Sequence, residues 1–158
     1  GEGVSVKASR PLSSSTTENV SKTNTRLFKA LLAEMLGTAC IVALGCGCVA
    51  NVNFAKTGMG LLEIAIVFGL AVAGSAHIAG PVSGAHFNPA ISIALAFVAK
   101  AQVPSGHAVR TWLPRYILAQ CLGGFFGALF VAVMFSSPLA ALSHSVAAPG
   151  ETCGIRCH

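Results

Sequence analysis

Apolar residues run along this chain in long blocks, with neither the alternation of strands nor the one-sided stripe of a soluble helix. Three blocks, roughly residues 27–50, 60–79 and 111–135, are bounded by polar or Gly/Pro-containing segments. A hydrocarbon core of about 30 Å is crossed by about 20 helical residues, so each block predicts a membrane-spanning helix. A fourth block, Asn88 to Ala99, has twelve residues. At about 1.5 Å per residue it reaches about 18 Å, too little to cross. The pattern therefore predicts an all-α transmembrane chain of three spans and one re-entrant half-helix, reached through an approach over residues 80–87.

Composition strengthens the membrane reading. Of 158 residues, 54% are hydrophobic and 9% charged, and the mean hydropathy is +0.73, whereas soluble domains carry about 25% charged residues. Asp is absent. The Ser/Thr-rich leader, residues 1–26, predicts a disordered cytoplasmic segment and contains no apolar core of a signal peptide. Basic residues favour cytoplasmic flanks, so Lys7, Arg10, Lys22, Arg26 and Lys29 place the N-terminus inside. If the fourth block crossed, Lys100, Arg110 and Arg115 would lie outside. If it turns back, they join the other basic residues on the cytoplasmic side. The net charge of +5 thus reports topology, and no nucleic-acid partner is expected because the basic residues are not interleaved with aromatics.

Candidate chemistry gathers at the fourth block. Asn88 is a strong helix N-cap, and Pro89 at the first helical position gives up an amide that would have no helical partner. The preceding Gly80-Pro81-Val82-Ser83-Gly84-Ala85-His86 is expected to be non-helical backbone at membrane depth, tolerated only when buried in protein or lining a wet cavity. Its carbonyls would present acceptors, followed by the positive end of a helix dipole. Glu34 inside the first span needs partners, and the amides of residues 84–87 or the His86 imidazole are the natural ones. Gln120 is expected to hydrogen-bond the same loop, and His77 to be an interfacial or packing residue. Gly37, Gly45, Gly47, Gly69, Gly74, Gly123, Gly124 and Gly127 are expected to permit close helix contact.

Other chemistries find less support. Cys40, Cys46, Cys48 and Cys121 lie in apolar helices as small hydrophobes, and no metal site or cofactor is expected. Cys153, Cys157 and His158 form a triplet that could hold a metal or a disulfide. An enzyme is not expected: Glu34 and Glu63 are far apart in the topology, and no nucleophile with a base and an orienting group can be assembled.

The strings AEMLGT (33–38), FGLAVAG (68–74), SGAHFNPA (83–90) and AQCLGG (119–124) resemble, in order and spacing, the N-terminal half of an aquaporin, of the major intrinsic protein family. The resemblance covers about residues 27–135. It implies a proton-excluding single-file channel for water, with other small neutral solutes left open, in a protein that assembles as a homotetramer. By that resemblance Asn88, Pro89 and Ala90 form the pore-lining motif, with the Asn88 amide donating to the permeating molecule. Gly84, Ala85 and His86 supply carbonyls, Phe68 belongs to the selectivity constriction, and Glu34 with Gln120 braces the loop.

Family pores form between two inverted repeats, and this sequence holds one Asn-Pro-Ala. Residues 136–158 read as an extracytoplasmic loop or a non-family tail. The chain, which opens on Gly, is accordingly expected to be half of a channel. The alternative is a non-conducting half-channel that associates with full-length relatives and modulates their assembly.

Overall fold

A computed structural model describes residues 12–55, 60–98 and 108–136. Within them lie four helices: α1 (Leu12–Ala55), α2 (Leu61–Ser83), α3 (Pro89–Phe97) and α4 (Val109–Met134). Three of these, α1, α2 and α4, are long and apolar enough to cross a membrane. With nine residues, α3 extends about 14 Å and is not.

Contacts along α1 fix the direction of every other helix. On α2, Phe68 meets Gly45 and Ser83 meets Glu34, so α2 runs antiparallel to α1. On α4, Gly123 lies against Met35 and Thr38, Gly127 against Ala39 and Val42, and Phe135 near Phe54, so α4 runs parallel to α1. Hence α2 ends on the side where α4 begins, and α3 joins them without crossing. It starts beside Thr38, which hydrogen-bonds the Phe87 carbonyl. It finishes with Leu95 and Ala96 packed on Ala30, Val109, Trp112 and Tyr116. The half-helix thus begins at mid-depth and returns toward the starting ends of the membrane-embedded parts of α1 and α4.

Several expected boundaries are corrected. The leader is helical from Leu12, not disordered, within the described residues. Elongating an existing helix avoids the unfavourable nucleation step, and the span supplies that nucleus. Thr25 Oγ1 donates to the Ser21 carbonyl at 3.1 Å and Lys22 pairs with Glu18 at 2.6 Å, an exposed pair of little energetic weight. At its far end α1 continues to Ala55, five residues beyond the expected stop at Ala50.

The second helix does not stop at Ala79 either, but carries Gly80 and Pro81 through to Ser83. Pro81 sits in the last turn, where it forfeits a single helical hydrogen bond. The stop is Gly84, whose φ of 94° is left-handed and whose N–H donates to the Gly80 carbonyl. Glycine adopts that conformation without a Cβ clash.

Small residues divide into two groups. A Cβ at Gly123 or Gly127 would run into the backbone carbonyls of Met35 and Ala39, whereas one at Gly69, Gly74 or Gly124 would meet nothing within 4 Å among the described residues. The first pair therefore sets the α1–α4 approach, Gly45 lies against Phe68 of α2, and the expectation of close helix contact is corrected at Gly69, Gly74 and Gly124. Gly123→Ala should cost about 1–3 kcal/mol by overpacking. Gly124→Ala should gain up to about 1 kcal/mol from helix propensity. Thermal unfolding of the two variants in detergent checks the contrast.

Candidate functional site

The segment between α2 and α3 is five residues long, Gly84 to Asn88, and holds an uncommon backbone. Besides Gly84, both Ala85 (φ 53°) and Phe87 (φ 51°) lie in the left-handed region, which costs non-glycine residues on the order of 1–3 kcal/mol each. Something must hold it there. Glu34, 0% exposed, lies alongside. Its Oε1 accepts from Ser83 Oγ at 2.7 Å and from the His86 amide at 2.9 Å. Its Oε2 accepts from the Phe87 amide at 2.7 Å and from Gln120 Nε2 at 2.8 Å. Four donors around one carboxylate compensate its burial, and no cation pairs with it among the described residues. Ionised acceptors make the stronger hydrogen bonds, so the carboxylate is well suited to hold the strained turn.

Further contacts tie this clamp to every helix. Gln120 Nε2 also donates to Ser92 Oγ at 2.9 Å, and His86 Nδ1 lies 3.1 Å from the same hydroxyl. Tyr116 donates its hydroxyl to the Ser83 carbonyl at 2.8 Å and packs against the His86 ring at 5.2 Å. Thr38 Oγ1 reaches the Glu34 carbonyl at 2.7 Å and that of Phe87 at 3.3 Å. The Phe87 ring occupies the space a side chain at Gly37 would need. Glu34 thus engages the amide of His86, while the imidazole turns to Ser92. The sequence pointed to Glu34, His86 and Gln120, although Gln120 bonds Glu34 and Ser92 where a bond to the loop itself was expected, and it did not single out Thr38, Ser83, Ser92 or Tyr116. A signal existed: Glu34/Thr38, Asn88/Ser92 and Tyr116/Gln120 are all pairs four residues apart, neighbours on one helix face.

The other side of the segment is open. Asn88 is exposed, caps α3 by accepting from the Ala90 amide through Oδ1 at 2.8 Å, and is followed by Pro89 at the first helical position. Its Nδ2, and the carbonyls of Gly84, Ala85 and His86, find no partner among the described residues. One amide donor and three carbonyl acceptors, set at mid-depth beside a helix N-terminus, can exchange hydrogen bonds with a small polar molecule.

Phe68 is placed farther along the same face. It is half-buried with its ring against Gly45 of α1. Gly45 follows Glu34 by eleven residues and Thr38 by seven, both near whole helical turns, so all three share one stripe of α1. The ring stands about 10 Å beyond Thr38 along the helix.

Away from this face, an apolar groove of about 470 Å³ between α1 and α2, lined by Leu32, Leu36, Ile78 and Val82, does not include the loop. His77 is exposed on α2. No group of three His, Cys, Asp or Glu side chains could hold a metal among the described residues. Cys153, Cys157 and His158 lie outside them.

Three apolar helices long enough to span, with a returning half-helix packed along α4 and a carboxylate clamp behind an Asn-Pro corner, define an integral membrane protein. The chain belongs to the major intrinsic protein family, which it matches over residues 21–155. It is 44% identical over 111 residues to the glycerol uptake facilitator protein of Pseudomonas aeruginosa, covering 70% of this chain and 37% of that protein. It is 42% identical over 107 residues to a probable glycerol uptake facilitator protein of Thermotoga maritima, covering 66% and 43%. With human aquaporin-9 the identity is 40% over 108 residues, covering 66% and 34%. The chain therefore spans less than half the length of these curated relatives.

Proposed function

We propose that this chain forms one wall of a passive channel for small neutral polyols of the glycerol class, with water also admitted. One observation carries the reading. The Asn88 amide donor and the carbonyls of Gly84, Ala85 and His86 lack partners among the described residues, in a loop that Glu34 clamps through the His86 and Phe87 amides. Polyols match such a row, since each hydroxyl both donates and accepts. Half-helix dipole and amide together disfavour cations and protons. The glycerol facilitators among the relatives shift the emphasis from water alone toward polyols. In this reading Phe68 narrows the outer half of the passage, the N-terminus is cytoplasmic, and the functional unit is a homotetramer.

The opposite wall must come from other residues, whether in a longer reading frame or in a second protein. Vesicles bearing the complete protein encoded by the frame containing this sequence should reswell in a glycerol gradient at least about tenfold faster than protein-free vesicles, a factor worth 1.4 kcal/mol of barrier. Vesicles bearing the 158-residue chain alone should match protein-free ones. Absence of glycerol and water flux in the first case would defeat the proposal.

A further inference from the structure

We propose that Gly45 of α1 is a specificity-determining position: by lacking a side chain it seats the Phe68 ring back against α1 and keeps the passage wide enough for a polyol. This inference rests on the channel reading above and assigns to it a residue that never touches the solute.

The observation is steric. A Cβ at Gly45 would lie well inside contact distance of three carbons of the Phe68 ring, so the ring occupies the volume that any side chain would need. Gly45 is buried, whereas Phe68 is only half-buried. The notch is also local, because Gly69, next to Phe68, and Gly74, further along α2, have no neighbour within 4 Å of a built Cβ among the described residues.

Three constraints decide which way the ring would yield. The backbone of α1 at Gly45 is held by its own helical hydrogen bonds. The register of α2 is held by Ala71, Ser75 and Ala79, all buried in the stripe that meets α1. Interiors packed at crystal density leave no slack to absorb a methyl group. The ring must therefore leave its seat by a change of rotamer or a rigid shift, and its free direction is outward, away from α1. Gly45 lies on the stripe of α1 whose Glu34 and Thr38 hold the loop before Asn88, so the displaced ring moves over the same face of α1 that carries the loop. Pore diameter decides which neutral solutes pass, and a displaced aromatic ring excludes a three-carbon polyol before it excludes water.

The test compares glycerol and water permeability, each normalised to protein content, in vesicles carrying the complete protein. Gly45→Ala is expected to lower the glycerol-to-water ratio about tenfold, the low end of what one methylene of room discriminates. Adding Phe68→Leu to Gly45→Ala should bring the ratio back toward the parent value, because the smaller side chain no longer competes with the methyl. A parallel fall in both permeabilities, or an unchanged ratio, would overturn the inference while leaving the channel reading intact. Parent protein that conducts neither solute would overturn both. If Gly45→Ala does not accumulate, the double variant decides. Recovery of folded, conducting protein shows that Gly45 acts through Phe68. Failure of the double variant as well makes Gly45 a packing residue only, and the inference is wrong.

Discussion

Glu34→Ala is expected to unfold the corner between α2 and α3. Of the four groups that donate to this carboxylate, Ser83 Oγ and Gln120 Nε2 have second acceptors in the Ala79 carbonyl and Ser92 Oγ. The His86 and Phe87 amides have none among the described residues. Stranding two buried donors costs about 1–3 kcal/mol each, hence about 2–6 kcal/mol together, against a total stability of about 5–15 kcal/mol for a typical domain. The left-handed residues Ala85 and Phe87 lose their restraint at the same time. The melting temperature in detergent should drop sharply, and transport by the complete protein should disappear. Glu34→Gln, which keeps one acceptor oxygen, should fall between the parent and Glu34→Ala. A melting temperature unchanged in Glu34→Ala would mean that the clamp does not hold the loop.

Asn88→Asp is expected to separate two roles of one side chain. Oδ1 of Asn88 caps α3, and Asp caps a helix about as well while favouring the dipole's positive end. Stability should therefore remain within about 1 kcal/mol of the parent, the usual worth of a cap. In the proposed channel Nδ2, which has no partner among the described residues, donates into the passage, and Asp replaces it with an acceptor bearing negative charge. Glycerol and water flux through the complete protein should fall by about 100-fold, equivalent to about 2.7 kcal/mol at 1.36 kcal/mol per decade. Folded protein with undiminished flux would show that Nδ2 does not serve the permeating molecule.

Spans and half-helix were legible in the sequence because the length of each apolar block reports the bilayer directly. Helix ends were less so. Ser13 to Asn24 are mediocre helix formers, and nothing local announces that α1 extends through them; the span below supplies the nucleus. Gly80-Pro81 carries the usual marks of a break, yet the break falls at Gly84, where a left-handed φ is required. Glu34 and Gln120 stood out because a carboxyl or carboxamide in an apolar run needs partners. Thr38, Ser83 and Ser92 did not, since hydroxyls can satisfy themselves on their own helix backbone. Ser83 and Thr38 do bond the carbonyl four residues back, and they also reach across to the clamp. Gly45 was expected to permit a close helix contact, but only the three-dimensional structure reveals that the partner is the Phe68 ring.

Sidedness of the α3 terminus is the most direct measurement. Single cysteines at Asn24, Val98 and Leu61, placed in the complete protein with its native cysteines replaced, can be labelled in sealed vesicles with a membrane-impermeant maleimide. If α3 turns back, positions 24 and 98 label from one face and position 61 from the other. Labelling of 98 together with 61 would mean that the half-helix crosses, and the open polar corner at Asn88 would no longer sit where a solute could meet it.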